Sequence, residues 1–295
     1  DMIKYLKYTI SRSPFKDDLN RKYDLLFFCS ETTNIMKWGN AYFNRVAEYF
    51  AAIHQEKSIF IEDSDRKTYY MPKSFPNVFY HDIIDIEASI RSRFYRVNEK
   101  DVKTVKSIKR FLADFFPCAI KKSDLDILEN SLLATSRKLR FYYSLYNRLF
   151  DRLGPKIIFL DDASYGDRSY ILRIASERNI KTAELQHGIV FKDNPAYNYG
   201  KAILNCALYK KYLPDYFLSY GKYWDGLTNI PVTKVLIGNP HYSENRKEIL
   251  REKNDIGGKK KILFISGGNL SNLQKILLDL LSLLDYHRYE IVFRP

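Results

Sequence analysis

Along this chain, short apolar runs alternate with stretches whose apolar residues recur at helical spacing. Residues 23–29 (YDLLFFC) form an apolar run closed by the polar residues 30–34 (SETTN), after which Tyr42, Val46, Tyr49, Phe50 and Ile53 recur at helical intervals. That order predicts strand, loop, helix. Residues 58–62 (SIFIE) and 77–80 predict two more strands, separated by a turn-rich stretch holding Pro72 and Pro76. Two helical segments then break the rhythm, over 102–116 and 123–150. In the second, Leu125, Leu128, Leu132, Leu139, Tyr142, Tyr146 and Leu149 make one stripe, Ser123 is placed as N-cap and Asp126 falls in the first turn. Further strands are predicted at 156–160, 181–185, 216–219 and 234–237, with a helix at 167–178. Strands alternating with helices imply a parallel sheet covered on both faces.

A second unit opens later. After Gly238, Asn239 and Pro240 comes a charged segment, 241–255, closed by Gly257 and Gly258. A strand at 260–265, a turn at 266–269 (SGGN), a helix at 271–285 and a strand at 289–293 follow. The predicted fold class is therefore α/β, with a Rossmann-like domain carrying a helical insertion (1–240), a linker (241–258) and the beginning of a second Rossmann-like domain (259–295). Ending straight after a strand, that second domain is expected to be incomplete.

Composition alters this picture little: 45% hydrophobic and 15% aromatic residues suffice for a core and argue against disorder as the main state. Charge adds more. Lys and Arg outnumber Asp and Glu by 48 to 35, a net +13, which suits polyanions: nucleic acid, anionic lipid headgroups or phosphorylated substrates. Nucleic acid is disfavoured, because the basic residues are dispersed and no RNP, zinc-finger or heptad-plus-basic pattern occurs. A non-catalytic polyanion-binding protein stays as an alternative of another class. Cys29, Cys118 and Cys206 are far apart with no CxxC pair, and are expected as reduced thiols with a packing role. No apolar stretch approaches the ~20 residues of a membrane span, and no signal-peptide pattern opens the chain. The expected location is cytoplasmic, with a basic face toward an anionic inner leaflet.

Candidate chemistry lies in the loops after strands, where open α/β sheets bind ligands. Residues 184–188 (ELQHG) leave an imidazole, His187, at a strand end, where it can donate to a phosphate or act as a base; tying down the neighbouring loop explains it as well. Asp161 and Asp162 end another strand and offer a carboxylate as base or nucleophile, although Asp and Ser before a helix are also preferred N-caps. Gly267, Gly268 and Asn269 sit between strand and helix, a geometry that attracts phosphate, and they match neither GxGxxG nor GxxxxGK[ST]. A ligand-free tight turn accounts for them equally. The early loop 30–40 offers Glu31, Thr32, Asn34, Lys37 and Trp38, polar groups beside an indole that suit a sugar acceptor.

Three blocks, 184–188 (ELQHG), 213–221 (LPDYFLSYG) with Trp224, and 235–240 (VLIGNP), give the sequence a resemblance to bacterial GT-B glycosyltransferases of capsule and O-antigen assembly. It covers roughly residues 155–295. The resemblance implies two Rossmann-like domains, acceptor held by the N-terminal one and a nucleotide-sugar donor by the C-terminal one, with no obligatory metal and no cofactor beyond that co-substrate. By position it implies His187 and an aspartate of the Asp161–Asp162 pair at the reaction centre, Gln186 beside the acceptor, and Gly267, Gly268 and Asn269 at the donor phosphates. Implied partners are the donor and a glycan or lipid-linked glycan acceptor. Relatives of similar shape transfer glycerol- or ribitol-phosphate from CDP-linked donors, which keeps a polyol-phosphate transferase as the alternative. The chain ends before the histidine-proline step and the glutamate or serine with which such enzymes often grip base and ribose.

Overall fold

The computed structural model describes residues 2–16, 21–30, 34–117, 119–165, 168–253, 259–265, 270–285 and 287–294. Helix α1 (Met2–Ser11) precedes β1 (Leu25–Ser30). A hairpin of β2 (Ile35–Trp38) and β3 (Ala41–Asn44) leads into α2 (Glu48–Ile53), β4 (Ser58–Asp63) and β5 (Val78–Tyr80). Helices α3 (Asp82–Arg93), α4 (Glu99–Phe115) and α5 (Lys122–Leu153) carry the chain back to β6 (Ile157–Leu160). Then come α6 (Ser169–Glu177), β7 (Lys181–Leu185), the short helices α7 (Lys201–Leu204) and α8 (Ala207–Lys210), β8 (Tyr216–Ser219), α9 (Lys222–Asp225) and β9 (Thr233–Leu236). These elements belong to one compact unit, Asp1–Pro240.

Seven strands form one all-parallel sheet in the order β5-β4-β1-β6-β7-β8-β9. The chain starts at the centre, steps outward through β4 to β5, then crosses back to β6 on the other side of β1. This is a Rossmann-like α/β fold with two small extra sheets and a helical insertion. The central strand shows why its sequence is apolar throughout: Leu26 and Phe28 face one layer while Phe27 and Cys29 face the other. On the first face, β1, β4 and β6 pack against α3, α5 and α6 through Ile84, Tyr146, Leu149, Phe150 and Ile171. On the second, Phe27 stacks between Phe60 and Phe159 at 4.9 and 4.6 Å, with Val46, Ala47 and Ala51 over them. Helix α5 stops at Gly154, whose φ of +65° is the left-handed C-cap that favours glycine.

The second unit, His241–Pro295, contains β10 (Lys260–Ile265), α11 (Leu270–Leu283) and β11 (Tyr289–Arg294), with β10 and β11 paired in parallel. The charged segment expected as a linker is largely helical, as α10 (Pro240–Lys253).

The predicted strands of the main sheet appear within a residue or two of their expected ends. Four local readings change. The helix expected from Tyr42 is confined to Glu48–Ile53, because Tyr42 lies in the β2–β3 hairpin. Ser123 is not the N-cap of α5; the helix begins one residue before it, after Lys121 in extended conformation, and Ser123 bonds Asp124 within the first turn. Leu139, assigned to the α5 stripe, is 42% exposed. Cys29 is buried as expected, but Cys206 is exposed, and Cys118 lies outside the described residues.

Candidate functional site

In a doubly wound sheet the loops on either side of the strand-order reversal diverge and leave a crevice beyond the carboxyl ends of the strands. Here the reversal falls between β1 and β6. Four strand ends bring polar residues to this edge: Ser30 from β1, Asp63 from β4, Asp161 and Asp162 past β6, and Gln186 and His187 past β7.

Arg168, immediately ahead of α6, joins three of these carboxylates. Its buried guanidinium pairs with Asp63 and lies 3.4 Å from both Asp161 and Asp162. Burial alone would raise the Asp63 pKa, yet Arg168 and His81 hold it well below the usual carboxylate range. For His81 the signs reverse: burial favours the neutral ring, but Asp63 at 2.9 Å and Asp85 at 3.5 Å raise its pKa to about 10. His81 is therefore cationic at neutral pH. Its other ring nitrogen meets the Tyr146 hydroxyl, and Tyr142 donates to Asp85 at 2.8 Å, so α5 anchors the network.

The two adjacent aspartates have different surroundings. Asp161 is 3% exposed and accepts the Ser30 N–H at 2.7 Å, fastening the end of β1 to the end of β6. Asp162 keeps 30% of its side chain in solvent. Burial raises its pKa to about 7, against the pull of Arg168 and with the Asp161 charge adding to the rise. Neither caps α6, which begins after Arg168 without a side-chain cap.

His187 is half-buried and meets the Tyr165 hydroxyl through Nε2 at 2.8 Å. Burial lowers its pKa despite the nearby Asp161 charge and a backbone hydrogen bond with Leu185, so the ring is neutral at pH 7. Gln186 is fully buried with both ends of its amide engaged: Nε2 donates to the Gly188 carbonyl at 2.9 Å and Oε1 accepts the Tyr220 N–H at 2.8 Å. It holds the ends of β7 and β8 together, so its amide is already satisfied within the protein.

Glu184, inside β7, clamps the aspartate loop. It is 0% exposed, accepts the Ser164 N–H at 2.8 Å and the Tyr197 hydroxyl at 2.7 Å, and also bonds the Ser164 hydroxyl. Burial raises its pKa to about 8 although those bonds favour the charged form. Beside it, Ser164, Tyr165, Asn194, Ala196, Tyr199 and Tyr209 line an open hollow of about 530 Å³.

The structure thus brings Asp161, Asp162, Gln186 and His187 to one edge. Lys37 and Trp38 instead sit exposed at the turn end of the β2–β3 hairpin, and Asn34 is 1% exposed with neither amide atom hydrogen-bonded. Glu31, Thr32, Gly267, Gly268 and Asn269 lie outside the described residues. Asp63, His81, Arg168 and Glu184 are site residues that the spacing did not single out. Asp63 was within reach of the strand-end rule, and a lone carboxylate within an apolar strand marks Glu184; His81 and Arg168 gave no local signal. Among the described residues, no three His, Cys, Asp or Glu side chains are grouped to hold a metal ion. Compared with known proteins, the chain matches no protein-family model and no curated sequence.

Proposed function

We propose that the protein is a glycosyltransferase of GT-B type that moves a sugar from a nucleotide-sugar donor to a surface-polysaccharide acceptor, with Asp162 as general base. The observation that carries this reading is a partly exposed carboxyl at the strand-order reversal with a pKa raised to about 7. A base is most effective when its pKa lies near the working pH. In this mechanism the acceptor hydroxyl attacks the anomeric carbon, the bond from that carbon to the donor phosphate breaks, and the hydroxyl proton passes to the Asp162 carboxylate. Arg168 orients the carboxylate without quenching it, because its charge is shared with Asp63 and Asp161. His187, neutral and bonded to Tyr165, is a hydrogen-bond donor or acceptor toward substrate rather than a cation.

The hollow lined by Tyr165, Tyr199, Tyr209 and Asn194 suits an acceptor sugar, whose ring faces stack on aromatics while its hydroxyls seek amides. Incubating the protein with a panel of nucleotide sugars and lipid-linked or oligosaccharide acceptors tests the reading. Consumption of one donor, dependent on acceptor, is expected. Consumption of CDP-glycerol or CDP-ribitol alone would instead assign the same base to phosphoryl transfer, and no consumption of any donor would refute both.

A further inference from the structure

The hairpin of α4 and α5 ends in aromatic side chains that the fold leaves in water. Phe111 and Phe115 stack with centroids 5.6 Å apart, Phe116 meets Phe115 edge-on at 4.8 Å, and the three residues are 61, 65 and 40% exposed. Exposed aromatic clusters of this kind mark interaction surfaces.

The patch stands away from the core. Along α5 the buried residues Leu145, Tyr146, Leu149, Phe150 and Leu153 crowd the C-terminal end, whereas Leu125 alone is buried near the start. In α4 the one buried residue is Val105. At 1.5 Å per helical residue, the start of α5 lies roughly 35 Å from Leu145.

Charge selects the occupant. Between residues 103 and 122 the sequence carries Lys103, Lys106, Lys109, Arg110, Lys121 and Lys122 against a single acid, Asp114. The first turns of α5 add Asp124, Asp126 and Glu129, the last two paired with Lys109 at 2.5 and 2.6 Å, so residues 103–129 carry six Lys and Arg against four Asp and Glu, a net +2. Exposed phenylalanines flanked in sequence by Lys and Arg fit a bilayer surface, with the rings at the acyl boundary and the cations among anionic headgroups. No described helix is long and apolar enough to cross a membrane, so the contact is interfacial.

We propose that the α4–α5 hairpin end is the surface by which this protein seats in the interface of an anionic lipid bilayer. Nothing in this depends on the transfer chemistry at the strand ends.

Co-sedimentation with phosphatidylglycerol-containing and pure phosphatidylcholine vesicles tests it, using wild type, a Phe111→Ser/Phe115→Ser/Phe116→Ser variant and Phe115→Trp. Wild type should bind the anionic vesicles, more weakly as salt rises. The triple variant should bind roughly tenfold or more weakly, with an unchanged melting temperature because the replaced side chains are exposed. Phe115→Trp should show a blue-shifted emission on anionic vesicles. Undiminished binding by the triple variant, or unshifted Phe115→Trp emission on vesicles that bind the protein, would overturn the proposal. So would wild type that ignores vesicles but self-associates through these phenylalanines, which would make the patch a contact between copies.

Discussion

Replacing Glu184 by glutamine separates a buried neutral carboxyl from a buried charged one. Glu184 is 0% exposed, and burial raises its pKa from the ordinary 4.5 to about 8. Because the folded value lies above the unfolded one, the native protein holds a proton that the unfolded chain has released anywhere between those values. Stability from this group is therefore complete below about pH 4.5, falls as pH rises, and levels off above about pH 8. The slope is roughly 1.4 kcal/mol per pH unit, so between about pH 5.5 and 7.5 the wild type should lose roughly 2–3 kcal/mol through Glu184. A glutamine does not titrate. Its carbonyl can accept the Ser164 N–H and its amide can donate to the Tyr197 oxygen, which preserves the clamp. Urea unfolding of both proteins across that range gives the difference directly, since the titrations of His81 and Asp162 are common to the two and cancel. E184Q should gain roughly 2–3 kcal/mol on wild type from the acidic to the alkaline end. Stability curves that run parallel would show that Glu184 is ionised in the fold and that burial does not govern this edge of the sheet.

Four further substitutions have expected outcomes. Arg168→Met should destabilise the first unit by roughly 3–5 kcal/mol in denaturant melts, because it leaves the Asp63, Asp161 and Asp162 carboxylates facing one another without their shared cation; a loss below 1 kcal/mol would contradict the network. Asp161→Asn should cost roughly 1–3 kcal/mol, through the weakened bond to the Ser30 N–H and the lost Arg168 pairing, whereas Asp162→Asn should leave stability at about pH 8 unchanged or higher, since the wild-type charge is disfavoured there. Gly154→Ala should lower stability by roughly 1 kcal/mol, because the residue sits at φ +65° and an added Cβ would meet the Lys22 side chain at 3.1 Å.

The sheet was legible because central parallel strands are buried on both faces and read as apolar runs, as residues 25–29 and 58–61 do. The β2–β3 hairpin was hidden by its length. Four residues a side give too short an alternation to outweigh the helical spacing of Val46, Tyr49, Phe50 and Ile53, although Gly39 and Asn40 form the two-residue turn and Gly39 adopts φ +59°. Helix α3 buries Ile84, Ala88 and Ser92 at four-residue spacing, but two of these are small and one is polar, so the stripe lacks apolar contrast. At the site, the strand-end rule located Asp161, Asp162 and His187 from spacing alone. What it could not assign is the division of labour within the aspartate pair. That depends on Ser30, Asp63 and Arg168 from three separate elements, a relation that exists only once β1, β4 and β6 are side by side. Gln186 shows the converse, a polar residue at a strand end whose hydrogen bonds are used up inside the protein.

The most direct test of the account is the pH dependence of sugar transfer by wild type and Asp162→Asn, measured as initial rates with the donor found by the panel. If Asp162 is the base, the wild-type rate rises as its carboxyl ionises, with the midpoint near pH 7 and a plateau about one pH unit higher, and the variant loses both the rate and that inflection. A variant that retains the wild-type rate and profile would remove Asp162 from the reaction and with it the claim that the strand-order reversal is the site of chemistry.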